Sequence, residues 1–118
     1  MISVERLARL VLNVRDVDAS KAFYMTMLGL KVANENPARG VVFLSNGSDH
    51  HQLALFERAT GPAPDATQPG LIHMAWRLPD LDSFRAVHGE LKGAGIAIES
   101  TMPNQNDPFD LATGELVV

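Results

Sequence analysis

The sequence predicts an α+β fold with two equivalent halves, and three observations carry that expectation. A strand–Asp–helix–Gly–strand unit occurs twice, 64 positions apart. A Pro- and Gly-rich segment, residues 58–70, separates the two occurrences. Within each half, runs of apolar and β-branched residues give way to apolar residues at helical spacing. The shift of 64 carries Val14 onto Leu78, Asp16 onto Asp80, Val17 onto Leu81, Asp18 onto Asp82 and Met27 onto Leu91. With two residues inserted before the helix exit, Gly29 falls on Gly95 and Leu30 on Ile96.

Leu10 to Val14 reads as the first strand. Asp16 or Asp18 offers a side-chain oxygen to the free N–H groups of a helix start. Ala19, Phe23, Met27 and Leu30 then recur at helical spacing, and Gly29 marks the exit, so a helix is expected over 17–28. Lys31 to Asn34 fits a short strand, and Pro37 and Gly40 a turn. Val41 to Ser45 is apolar and β-branched. Asn46-Gly47-Ser48-Asp49 is a strong turn signal, with a strand expected from His51 to Glu57. Beyond the linker, Leu71 to Leu78 reads as a strand, and a helix is expected over 80–93. Its Leu81, Phe84, Val87, His88 and Leu91 share one face. A strand is expected over 96–98.

A chain of 118 residues suits one domain, here with halves 1–57 and 71–118. Hydrophobic content of 46% and charged content of 20% are ordinary for a globular protein. The absence of cysteine excludes a disulfide scaffold, a thiolate metal site and a cysteine nucleophile. The net charge of −4 and scattered Lys and Arg leave no footprint for nucleic acid. Apolar stretches fall far short of the ~20 residues needed to span a bilayer. Residues 1–12 carry Glu5, Arg6 and Arg9 among apolar residues, unlike a signal peptide, so the expected compartment is the cytoplasm.

The repeated unit also carries a resemblance. Leu10-Val-Leu-Asn-Val-Arg-Asp-Val-Asp-Ala-Ser-Lys-Ala-Phe-Tyr with Leu28-Gly-Leu-Lys-Val resembles the opening module of the vicinal oxygen chelate superfamily, the glyoxalase, bleomycin-resistance and extradiol-dioxygenase group. Gly70-Leu-Ile-His-Met-Ala-Trp-Arg-Leu resembles the opening of that family's second module, and Leu91-Lys-Gly-Ala-Gly-Ile its second helix exit. His50-His-Gln-Leu-Ala-Leu-Phe resembles the last strand of the first module, especially in dioxygenase-like members. The resemblance implies paired βαβββ modules whose mixed sheet curls around one open cavity. It also implies a divalent ion, Fe, Mn, Ni or Zn, acting on a small substrate with neighbouring oxygens, and a homodimer. The end of the chain departs from the pattern. Residues 100–114 are polar, turn-rich and too short for a full hairpin, so the second module is expected to be incomplete, with Glu115-Leu-Val-Val as a closing strand.

In this family the metal ligands come from the first and last strands of each module. The matching positions here are Arg9, Gln52, His73 and Glu115, and the repeat supports the pairing of Arg9 with His73. Imidazole at His73 suits all four ions, and the competing reading is a strand histidine satisfied by a neighbouring carbonyl. Glu115 is a carboxylate ligand or a solvated terminal carboxylate. Gln52 offers only a weak neutral oxygen. Arg9 keeps its proton and has no lone pair, so it binds no cation, and either His50 or His51 substitutes or the site is metal-free. Strand alternation allows at most one of these two histidines to face a cavity. In the metal-free case Arg9 would pair with Glu115 or clamp an anionic ligand. Trp76 and Phe56 are expected as core or cavity wall, and His88 as a packed histidine.

Two functions follow from the resemblance. The first is a metalloenzyme of dioxygenase or glyoxalase type, with the dioxygenase branch favoured by the His50–Phe56 strand. The alternative is a metal-free small-ligand-binding or drug-sequestering protein. No Gly-x-Ser-x-Gly, phosphate-binding loop or dinucleotide glycine motif competes.

Overall fold

The computed structural model describes residues 1–65, 67–96 and the backbone of 115–117. The chain divides into two compact units, Met1–Pro62 and Ala63–Val118.

The first unit runs β1 (Leu10–Val14), α1 (Val17–Leu28), β2 (Lys31–Asn36), a single 3₁₀ turn at Pro37–Arg39, β3 (Val41–Ser45) and β4 (Leu53–Glu57). It is a complete βαβββ module. The strands form one four-stranded mixed sheet in the order β1-β4-β3-β2. β1 runs parallel to β4, with Leu10 opposite Leu53. The other two pairs are antiparallel. The register shifts between Val32 and Asn34, leaving Ala33 as an extra residue that keeps the flanking side chains on their proper faces.

The registers sort the side chains onto two faces. Val42, Leu44, Leu53 and Leu55 lie on the helix side and are nearly or wholly buried, forming the core with Val17 and Leu30. The opposite face carries Val11, Asn13, Asn34, Asn36, Val41, Phe43, Ala54 and Phe56. Val11 is 55% exposed there and Asn13, Asn34 and Asn36 are exposed, while Val41 and Ala54 are buried, so this face is open at its margins.

Helix α1 begins where two carboxylates meet its free N–H groups. Asp16 Oδ1 accepts from Ala19 N–H at 3.0 Å, and Glu57 Oε2 accepts from Val17 N–H at 2.8 Å. The helix ends at Gly29, whose φ of 67° is left-handed. Of the face expected to be buried, Leu30 is buried and Phe23 and Met27 are half-buried, whereas Ala19 is exposed; Val17 is buried as well, and Ser20, Tyr24 and Leu28 are half-buried. The Glu57 bond draws the first turn onto the end of β4, which turns Val17 inward.

The second unit contains β5 (Ala75–Arg77), α2 (Leu81–Gly93) and β6 (Glu115–Val117). The capping of α1 repeats here 64 positions on. Asp80 Oδ1 accepts from Ser83 N–H at 2.7 Å, and Gly95, like Gly29, is left-handed at φ 77°. Phe84 is buried, and Leu81, Val87, His88 and Leu91 are half-buried, as the spacing predicts. The strand expected over 71–78 is confined to Ala75–Arg77, because β6 supplies only three ladder partners among the described residues. Glu115–Val117 is a strand, as expected, but pairs antiparallel with β5. The strand expected over 96–98 and the segment 100–114 lie outside the described residues, apart from Ile96. No helix among the described residues is long and apolar enough to cross a membrane.

Candidate functional site

The open face of the first sheet holds a row of rings. Phe43 on β3 and Phe56 on β4 meet edge to face, with centroids 6.4 Å apart and planes at 85°. The Arg58 guanidinium stacks on Phe56 at 4.7 Å. His51 lies on the other side of Phe43, 4.8 Å away. An open cleft of about 320 Å³ is lined by Asn34, Glu35, Asn36, Arg39, Val41, Phe43, Phe56 and Arg58. Its walls combine apolar rings, amides and two guanidinia, a composition suited to a planar ligand bearing oxygens.

The residue types explain this geometry locally. Phe43 and Phe56 share a face because Val41 pairs with Phe56 and Phe43 with Ala54 across one antiparallel ladder. Ala54 between them is small, which leaves room for both rings. Arg58 leaves the strand with its N–H shared between Asn13 Oδ1 at 3.0 Å and the Phe56 carbonyl at 3.1 Å, and these bonds hold the chain where the guanidinium covers Phe56. Gly40 has a φ of 64°, and the Cβ of any other residue there would stand 3.0 Å from Glu57 Cβ. That close approach lets the β2–β3 turn, with Arg39, pack beside the end of β4.

His50 and His51 come together in the turn before β4. Their Nδ1 atoms are 2.7 Å apart, so one carries a proton and the other accepts it. The alternation expected from a strand beginning at His51 does not apply, because the ladder starts at Leu53. His51 is only 7% exposed, whereas His50 lies at the surface. Burial, then the charge of the nearby Arg9 and the His50 ring, hold the His51 imidazole below the ordinary histidine range. His51 is therefore neutral near pH 7. A second cavity of about 320 Å³, lined by Lys31, Val32, Ala33, Ser45, Asn46, Gly47, His50 and Gly29, lies at the turn end of the sheet.

The four matched metal positions fall two in each unit. Arg9 is exposed and precedes β1 directly; its charge reaches both His51 and Asp49. The amide of Gln52 ties down the turn. Its Oε1 accepts from Asn46 N–H at 2.8 Å, and its Nε2 donates to Ser48 Oγ at 3.1 Å. One of the two lone pairs of that oxygen is thus already engaged. His73 is exposed and precedes β5. Glu115 stands opposite Arg77 in the ladder, four residues beyond His73. In the first unit Leu10, next to Arg9, bonds instead to the Gln52 carbonyl at 2.9 Å on a parallel strand. Among the described residues no group of three His, Asp or Glu side chains could hold a metal ion.

Trp76 is half-buried on β5, and its Nε1 has no hydrogen-bond partner among the described residues. His88 packs against Phe84, with centroids 6.0 Å apart, as expected of a packed histidine. Phe56 lines the cleft. The sequence reading missed Phe43, Arg39 and Arg58. The alternation in Val41–Ser45 was a signal for Phe43, since it faces the same side as Phe56. Arg39 and Arg58 stand in a turn and a linker, where no periodicity points.

The profile of the Glyoxalase/Bleomycin resistance protein/Dioxygenase superfamily matches residues 6–107. The chain belongs to that superfamily. Its similar relatives include biphenyl-2,3-diol 1,2-dioxygenase 3 of Rhodococcus globerulus, 34% identical over 90% of this chain and 55% of the relative. The 1,2-dihydroxynaphthalene dioxygenase of Sphingobium xenophagum is 33% identical over 83% of this chain and 30% of its own length. Catechol-2,3-dioxygenase of Bacillus subtilis is 29% identical over 76% and 32%. The chain thus spans from a third to about half of the curated relatives it matches. Among solved structures, an integron cassette protein from the mobile metagenome of a Halifax Harbour sewage outfall superposes with a TM-score of 0.64 at 16% identity, covering 98% of this chain and 99% of that one. Lactoylglutathione lyase from Agrobacterium tumefaciens gives 0.63 at 24% identity, covering 98% and 93%. These two likenesses establish the α+β glyoxalase fold for this superfamily member.

Proposed function

We propose that this superfamily member is a dioxygenase-branch domain that binds a small aromatic ring carrying two neighbouring hydroxyls. The observation that carries the reading is the Phe43–Phe56–Arg58 cleft on the open face. A ring stacked there gains offset or edge-to-face contacts, and Asn34 and Asn36 offer amides to its oxygens. The three curated relatives support it, since each is named as a dioxygenase of an aromatic with adjacent hydroxyls. His51, neutral and beside Phe43, is the group on this face suited to accept a phenolic proton. The remaining site residues proposed are Arg9 and Trp76 on the ligand side and His73 and Glu115 as donors from the second unit.

Calorimetric titration with catechol and with resorcinol, whose hydroxyls are not adjacent, tests the reading. Saturable binding of catechol with weaker binding of resorcinol is expected. No catechol binding, with or without added Fe(II), would end it.

A metal-free binding protein is the second reading, and Arg9 favours it. A guanidinium at a ligand position repels a cation and attracts an anion such as a carboxylate or enolate. We further propose a homodimer. Ile2, Val4 and Leu7 are 91%, 78% and 75% exposed, and this apolar arm leads into β1, an edge of its sheet.

A further inference from the structure

The charges of the cleft point to the substrate class, and this inference rests on the aromatic-diol reading. Two guanidinia, Arg39 and Arg58, line the cleft. Among the described residues neither forms an ion pair with a carboxylate. The one carboxylate in the lining, Glu35, is held by Lys21 Nζ at 2.8 Å from helix α1. Glu35 pairs with Val42 in the ladder, and Val42 faces the helix side, so Glu35 is drawn away from the open face. The cleft therefore presents two unneutralised positive charges beside two rings.

Arg58 is the better defined of the two. Its backbone N–H is fixed to Asn13 Oδ1, and its guanidinium lies flat on Phe56. A guanidinium stacked in this way keeps its edge N–H groups free, and these suit the two oxygens of a carboxylate. Arg39 projects from the 3₁₀ turn that Gly40 closes, so both cations border one opening. We infer that the ring bound on Phe43 and Phe56 carries an anionic substituent, a carboxylate, which sits between Arg39 and Arg58. Neutral diols would use the rings and amides but leave both cations unsatisfied.

The test compares two probes on the full chain. Catechol supplies the adjacent hydroxyls alone, and 3,4-dihydroxybenzoate adds a carboxylate to the same ring. The wild type should bind the benzoate about tenfold more tightly or better, the scale of a hydrogen bond to a charged group. That preference should shrink as salt rises. In the Arg39→Gln/Arg58→Gln double variant the ratio of the two affinities should approach one. The ratio is the readout, because loss of the Phe56 stack also moves both absolute affinities. Circular dichroism and the urea midpoint establish that the variant folds; Arg58→Lys, which keeps the charge but not the fork, should fall between. A wild-type ratio near one with catechol still bound overturns this inference alone, as does a preference that survives in the double variant. If neither probe binds, the aromatic-diol reading falls and this inference with it.

Discussion

Gly40 offers a stringent check on how the cleft is built, because Gly29 provides its own control. Both residues are left-handed, at φ 64° and 67°. Replacing either by Ala forces an L residue into that region at about 1–2 kcal/mol. Reduced freedom of the unfolded chain offsets about 0.4–1 kcal/mol of this cost. Around Gly29 a new Cβ meets nothing within 4 Å, so Gly29→Ala should lose roughly 1 kcal/mol in all. At Gly40 the Cβ would stand 3.0 Å from Glu57 Cβ. Glu57 has little room to yield. Its N–H donates to the Gly40 carbonyl at 2.9 Å, and its Oε2 holds the Val17 N–H. Overpacking of this kind adds about 1–3 kcal/mol, so Gly40→Ala should lose roughly 2–4 kcal/mol. Urea unfolding of both variants, with unchanged slopes, measures the difference. Equal destabilisation of the two would refute the close approach of the Gly40 turn to β4, and with it the placement of Arg39 beside the cleft.

The remaining predictions are briefer. Asp16→Ala and Asp80→Ala should each cost about 1 kcal/mol in urea unfolding, since both carboxylates cap helix N-termini; a loss at only one would break the equivalence of the two helices. Acid should destabilise the fold through His51. Its folded pKa lies below the unfolded value, so the unfolded chain protonates first; its contribution is intact above about pH 6.5 and is lost as pH falls from there toward the folded value. The stability of His51→Phe should therefore fall less between about pH 7 and 5 than that of wild type. Arg9→His, which places an imidazole at the position proposed to correspond to a metal ligand, should increase uptake of Fe, Ni or Zn measured by elemental analysis after dialysis; uptake equal to wild type would show that Arg9 is not at such a position.

Local chemistry was the most legible part of this chain. Asp16 and Asp80 announced both helices because an N-cap needs only its own backbone three residues on, and Gly29 and Gly95 announced the exits because left-handed φ favours glycine. The 64-residue repeat followed from those signals. The site was less legible, because tertiary contacts decide it. The shared proton of His50 and His51 depends on a turn that keeps both outside the β4 ladder, where strand alternation has no say. Gln52 read as a weak donor or an outward polar residue, and its bonds to Asn46 and Ser48 within the turn were not legible. The register that sets Glu115 opposite Arg77 depends on how β6 pairs with β5, which no local pattern gives. Arg58 is held beside Phe56 partly by a bond from its N–H to Asn13, a contact 45 residues distant in sequence.

Mapping of amide chemical shifts on titration with catechol tests the central claim most directly. The account predicts that Asn34, Asn36, Phe43, Ala54 and Phe56 shift together along one binding curve. Shifts confined to the second cavity at Lys31–Ala33 and Asn46–His50, or no saturable shifts at all, would contradict it.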